Sequence, residues 1–209
     1  MFKPHRYLGQ NFLIDRTIAD QMVSALEIEN GDEIVEIGSG FGIITEALLK
    51  KSKDKKVKIN AVEIDGRLYK NLVERFSGEE RVEFYNEDFL KWFPQFSFQG
   101  EIKIIGSIPY YITSPIIHQI IKAEKRPKIV ILLVQKEVAE RIIARNQKYS
   151  LVALMVAFAS HETRLVKKVP PGAFFPSPKV DSAILRIIPM NQKERQLIWG
   201  MDPELIMAI

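Results

Sequence analysis

The stretch Glu36-Ile37-Gly38-Ser39-Gly40-Phe41-Gly42 constrains this chain more tightly than any other. An apolar β-type run, Glu33-Ile34-Val35-Glu36-Ile37, leads into it, and a helix-period run, Ile43-Ile44-Thr45-Glu46-Ala47-Leu48-Leu49, leaves it. Strand, glycine turn and helix in that order bring backbone close to a nucleotide-like ligand, because glycine carries no Cβ and tolerates positive φ. The next β-type run, Ile59-Asn60-Ala61-Val62-Glu63, ends in an acid. It follows the last glycine by about 20 residues, the separation at which such units set a carboxylate against a pair of ribose hydroxyls.

The glycine spacing narrows the ligand. Dinucleotide sites favour G-x-G-x-x-G, with a helix N-terminus facing a pyrophosphate. Here the pattern is G-x-G-x-G, with Glu36 two residues ahead of its first glycine. A carboxylate there suits a ligand with a cationic amino-acid end, and S-adenosylmethionine (SAM) is such a ligand. Two other readings stay open at this point: a dinucleotide site, and a tight turn that holds no ligand, against which Glu63 argues.

Apolar runs and helix-period segments alternate to about residue 145. Asp15 is the expected N-cap of a first helix with Ile18, Met22, Ala25 and Leu26 on one face, and Asp65 opens another with Leu68, Leu72 and Phe76 in register. Arg81–Tyr85, Glu101–Ile105 and the continuous apolar run Lys128–Val134 read as further strands, the last as a central parallel one. Ser114 followed by Pro115 marks a helix start carrying Ile116, Ile117, Ile120 and Ile121. Gln135–Arg145 and Ser150–Ala159 read as helices. Two late strands, near 163–169 and 182–188, flank the loop Pro170-Pro171-Gly172-Ala173-Phe174-Phe175-Pro176-Ser177-Pro178. The order predicts a doubly wound, mostly parallel sheet of seven strands with an antiparallel last strand.

Ligands of such sheets bind beyond the carboxyl ends of the strands, where Gly38–Gly42, Glu63 and Asp88 converge. Asp88 is placed to accept a hydrogen bond from an adenine amino group, its ordinary alternative being an N-cap to Phe89-Leu90-Lys91-Trp92. The fourth strand tip is Ser107-Ile108-Pro109-Tyr110. An aromatic exocyclic amine is a poor nucleophile, since its lone pair is delocalised into the ring. A catalyst must hold its N–H bonds so that the lone pair faces the sulfonium methyl, which is a positioning effect. An acceptor at Ser107 and a nearby main-chain carbonyl would do this, with Pro109 fixing the turn and Tyr110 offering a face to a flipped base. Taken alone, a Ser-x-Pro-Tyr segment reads sooner as a β-turn with a core tyrosine.

Composition limits the remaining classes. With 209 residues and 24.0 kDa, one full domain is expected at 1–189, followed by a stub at 190–209. There is no cysteine, so disulfides and thiolate chemistry are excluded, and the three histidines make no metal spacing. No long uncharged apolar stretch and no signal-like N-terminus is present, so the expectation is a cytoplasmic, metal-free monomer without a membrane span. Net charge is +4, a mild bias toward polyanions, and the run Lys50–Lys58 is expected to be a solvated loop.

Several segments together resemble the rRNA adenine N6-dimethyltransferases of the KsgA type, which modify small-subunit ribosomal RNA. They are Leu8-Gly9-Gln10-Asn11-Phe12-Leu13, Val35–Gly40, Val62-Glu63-Ile64-Asp65, the Pro109-Tyr110 turn, Gln135–Arg141 and Val169–Ser182, spanning roughly residues 7–189. The resemblance implies a Rossmann-like class I SAM-dependent methyltransferase fold. It implies that Asn11, Leu13, Gly38, Glu63 and Asp88 contact SAM, that position 107 and Tyr110 handle the target adenine, and that Phe174 stacks on its other face. The candidate SAM-binding set is then Asn11, Leu13, Glu36, Gly38, Gly40, Glu63, Asp88 and Ser107, and the candidate catalytic set is Ser107, Pro109, Tyr110 and Phe174.

The implied function is dimethylation of adenosine N6 in the RNA of the immature small subunit. Two alternatives are a large-subunit enzyme of the macrolide-resistance type and a non-catalytic RNA-binding assembly factor. Gln135–Arg141 and Pro170–Ser182 favour the small-subunit branch. Two departures stand out. Serine occupies position 107, where the family has asparagine before Leu/Ile-Pro-Tyr, so a reduced rate is expected, and residues 190–209 are expected to be only a stub of the family's helical RNA-gripping C-terminal domain.

Overall fold

The structure, a computed structural model, describes residues 9–143, 150–191 and 193–194. In β2 (Asp32–Ile37), β3 (Lys58–Val62), β5 (Glu101–Ser107) and β6 (Ile129–Gln135), nearly every residue is buried, because helices cover both sheet faces. With β4 (Val82–Tyr85) they form a parallel array. β9 (Ser182–Pro189) runs antiparallel to β6, and β7 (Ser160–Val169) closes the far edge against β9. The order is β4-β3-β2-β5-β6-β9-β7, the expected seven strands with the last one antiparallel.

Period-2 alternation divides the core into two halves. Val35, Ile37, Ile104, Val130, Leu132 and Val134 face one side with Ile116, Ile117, Ile120 and Ile121 of α5 (Thr113–Lys122). Ile34, Ile59, Ile105, Ile131 and Leu133 face the other, against α1 (Arg16–Ala25) and α2 (Ile43–Lys51). Asp15 caps α1 by accepting from Thr17 N at 2.8 Å, and Asp65 caps α3 (Gly66–Arg75) by accepting from Arg67 N at 3.0 Å. α4 (Phe89–Trp92), α6 (Lys136–Ile143) and α7 (Leu151–Ala159) complete the helices among the described residues.

The helix expected at Ser114 starts one residue earlier, at Thr113. A 3-10 turn, Tyr110–Ile112, runs directly into it, with Ile112 N donating to Pro109 O at 3.2 Å, so no side-chain cap is required. A second, two-stranded sheet was not foreseen. β1 (Phe12–Leu13) pairs antiparallel with β8 (Phe174–Phe175), Phe12 opposite Phe175 and Leu13 opposite Phe174.

Lys50 and Lys51 end α2 and complement its C-terminal dipole, while Lys53 and Lys56 are exposed. Among the described residues no helix is long and apolar enough to cross a membrane. Nearly all of the expected C-terminal stub, and the part of the 135–145 helix beyond 143, lie outside the described residues.

Candidate functional site

The chain leaves β2 toward β3 and β4 on one side and returns as β5 on the other, so the carboxyl ends of β2 and β5 flank the point where strand order reverses. A cleft open to solvent occupies that point. Its walls come from the glycine turn, the ends of β3, β4 and β5, and the segment Gln10–Leu13.

The glycine turn takes its shape from three left-handed residues, Gly38 (φ 69°), Gly40 (φ 55°) and Gly42 (φ 76°). Gly42 caps α2, and a Cβ there would stand 2.8 Å from the Phe76 ring and 3.0 Å from Leu72, so any other residue would push those side chains aside. Gly38 N donates to Val62 O at 2.8 Å, pinning the turn to the end of β3. Between the glycines, Ser39 lines the cleft, and its Oγ is buried without a hydrogen-bond partner among the described residues.

Glu63 closes β3 and is the hub of the site. Its Oε2 accepts from Gly40 N at 2.8 Å and its Oε1 from Asp65 N at 2.9 Å. Burial pushes its carboxyl above the usual carboxylate range, while those two backbone donors pull the other way. Each oxygen keeps a further lone pair for a ligand hydroxyl. Nearby, the Arg67 guanidinium holds Asp65 well below the usual range.

Glu36 occupies a different place from the one its motif suggests. It is fully buried, it is not among the cleft-lining residues, and its Oε2 accepts from Thr45 Oγ1 at 2.6 Å. Alternation along β2 sends it toward α2 together with Ile34, whereas Ile37 lines the cleft. Burial raises its pKa to about 7.

Asp88 caps a helix and also lines the cleft. Its Oδ1 accepts from Leu90 N at 3.0 Å as the N-cap of α4. Ser107 and Pro109 line the cleft at the end of β5. Tyr110 does not: it is half-buried and its hydroxyl lies 2.7 Å from Ser182 Oγ. Asn11 and Leu13 line the opposite wall. Phe174, paired with Leu13, is only 4% exposed and packs in the α1–α2 half of the core, whereas Phe175 is 45% exposed.

Gly38, Gly40, Glu63, Asp88, Ser107, Pro109, Asn11 and Leu13 therefore meet in one cleft, while Glu36, Tyr110 and Phe174 sit outside its lining. Sequence reasoning did not single out Ser39, Phe41 or Tyr111, which also line it. Ser39 had a signal in its place between two glycines. Phe41 had none, since its role depends on the Phe12 ring, whose centroid is 4.4 Å away.

SAM fits these residues. Ser39 offers an unpaired buried hydroxyl, and Glu63 and Asp88 present acceptors suited to ribose hydroxyls and an adenine amine.

Comparison with known proteins agrees with this geometry. The chain is 36% identical over 188 residues to ribosomal RNA small subunit methyltransferase A of Dehalococcoides mccartyi, covering 89% of this chain and 63% of that protein's length. It is 38% identical over 208 residues to the protein of the same name from Francisella tularensis, covering 98% and 78%. Among solved structures, a dimethyladenosine transferase from Plasmodium falciparum superposes with a TM-score of 0.77 at 29% identity, over 90% of this chain and 66% of that one. The 23S rRNA methyltransferase ErmE superposes at 0.74 and 31%, over 86% and 70%. The fold is that of the class I SAM-dependent methyltransferases. The family model described as ribosomal RNA adenine dimethylase matches residues 1–199, and on that match and these identities the chain belongs to the ribosomal RNA adenine dimethylase family.

Proposed function

We propose that this protein is a SAM-dependent methyltransferase that dimethylates the N6 amino group of adenosines in the RNA of the immature small ribosomal subunit. One observation carries the reading: the glycine turn, Glu63, Asp88 and Ser107 open into one cleft at the switch point of the sheet. Relatives at 36% and 38% identity named as small-subunit enzymes favour that branch over the large-subunit one.

When bound, SAM supplies an electrophilic methyl group. Glu63 takes the ribose hydroxyls, its carboxylate already oriented by Gly40 N and Asp65 N. Asp88 accepts from the adenine amine of the donor through the oxygen not used in capping. Ser39 and the glycine-turn amides meet the amino-acid end. Ser107 would accept an N–H of the target amine and so fix the orientation of its lone pair, with Pro109 holding the turn rigid. No side-chain base is needed, because the nitrogen becomes acidic as it is alkylated and loses its proton to solvent. Buried Phe174 backs Leu13 in the wall of the cleft.

The test is mass spectrometry of nucleosides from immature small subunits incubated with the protein and isotopically labelled SAM. Labelled dimethyladenosine is expected. Monomethyladenosine alone would point to Ser107 limiting the second transfer. Absence of label, alongside calorimetry showing tight SAM binding, would favour a non-catalytic assembly factor.

A further inference from the structure

Strand β4 ends at Tyr85, opposite Val62 of β3, and the ladder between them runs one bond further, with Glu63 N donating to Tyr85 O at 2.9 Å. Beyond that point a side chain takes over. Asn86 Nδ2 donates to Glu63 O at 2.8 Å and to Ile64 O at 3.3 Å, a side-chain amide serving carbonyls that a strand's own N–H groups would otherwise serve. Its Oδ1 lies against Gly66, where a Cβ would stand 3.2 Å away, so the amide sits inside the turn that leads into α3. Asn86 itself is exposed and is not among the cleft-lining residues.

Both residues that Asn86 holds by their carbonyls line the cleft: Glu63 presents its carboxylate there, and Ile64, 53% exposed, stands beside it. Two residues after Asn86 comes Asp88, fixed by its cap on α4. One amide thus joins the end of β3, which carries the ribose acceptor, to the end of β4, which leads into the amine acceptor. A nucleoside engages both acceptors only at a set separation, and holding that separation in advance spares the ligand the cost of ordering it. On the methyltransferase reading above, we propose that Asn86 is a positioning residue for the donor's nucleoside, keeping the Glu63–Ile64 turn at the spacing from Asp88 that ribose and adenine require. A carboxylate at this position would fail in the task, because it has no N–H for the two carbonyls.

Asn86→Asp is nearly isosteric and removes only the donors, while Asn86→Ala removes the amide altogether; at an exposed position both leave the core untouched. The probes are SAM and 5′-methylthioadenosine, which is the donor without its amino-acid end. Calorimetry should show each variant losing on the order of 3- to 30-fold in affinity for both ligands alike, the equivalent of one or two hydrogen bonds. In methyl transfer the KM for SAM should rise by the same factor with kcat unchanged, the mark of an interaction that serves binding alone. An added anion by itself would attract the cationic sulfonium, so tighter SAM binding by Asn86→Asp overturns the proposal. Unchanged affinity for 5′-methylthioadenosine in both variants overturns it too, as does a fall in kcat with KM unchanged. If the wild-type protein binds neither ligand, the methyltransferase reading itself fails, whatever the variants do.

Discussion

Replacing Glu36 by glutamine should remove much of the pH dependence of stability in this protein. Glu36 is fully buried between β2 and α2, with one oxygen on Thr45 Oγ1 and the other, Oε1, without a partner among the described residues. Burial moves its pKa from 4.5 to about 7, and the nearby Glu63 carboxylate pushes in the same direction. Between those values the folded protein holds a proton that the unfolded chain has released, so stability falls as pH rises. The contribution is fully present below 4.5 and is lost as pH climbs through about 7. At about 1.4 kcal/mol per pH unit, the gap amounts to about 3.5 kcal/mol.

Glutamine keeps an acceptor for Thr45 and carries no charge at any pH. Its amide nitrogen meets the place where Oε1 had no partner, which costs on the order of 1–3 kcal/mol, but equally at every pH. The measurement is therefore a slope. Urea unfolding at pH 5 and pH 8 should show wild type losing about 2.5 kcal/mol more than Glu36→Gln across that interval. For a chain of this size the same difference appears as about 5–10 °C in Tm. Parallel pH profiles for the two proteins would refute the reasoning, because a carboxyl ionised throughout contributes no slope.

Gly42→Ala should destabilise the protein by at least on the order of 1–3 kcal/mol in thermal unfolding, since it combines a left-handed φ of 76° with a Cβ 2.8 Å from Phe76. Ser107→Asn should preserve or raise methyl transfer in a single-turnover assay while Ser107→Ala lowers it up to about 10²-fold, and a large loss in Ser107→Asn would contradict the positioning role. Lys103→Met should cost about 3–5 kcal/mol in chemical denaturation. It strips the buried Asp32 carboxylate of a cation 2.8 Å away, and removing both charges together should recover much of the loss.

Local periodicity and end signals carried most of the fold. Alternation marks β6 as a doubly covered strand, Asp15 and Asp65 announce the starts of α1 and α3, and the spacing from the glycine turn to Glu63 announces a nucleotide-like cleft. Each of these is a relation between residues close in sequence, or between a strand end and the turn that follows it. Facing within a strand was also legible: in β2 the alternation that sends Ile37 to the cleft sends Glu36 beneath α2, although a reading of the motif alone overlooked it.

Long-range pairing decided the rest. The ladder of Phe12 and Leu13 with Phe175 and Phe174 joins segments some 160 residues apart, and that pairing buries Phe174 while leaving Phe175 exposed. Two aromatic neighbours carry no local mark of which one enters a core. The same holds for Tyr110 and Tyr111, which differ because Ser182 arrives from β9 to bind one hydroxyl and Gly9 arrives from the N-terminal segment to support the other ring. Sequence alone determined a SAM-type α/β sheet and the residues at its strand ends. Tertiary structure determined which of them face the cleft, because facing is set by partners that only the folded chain brings together.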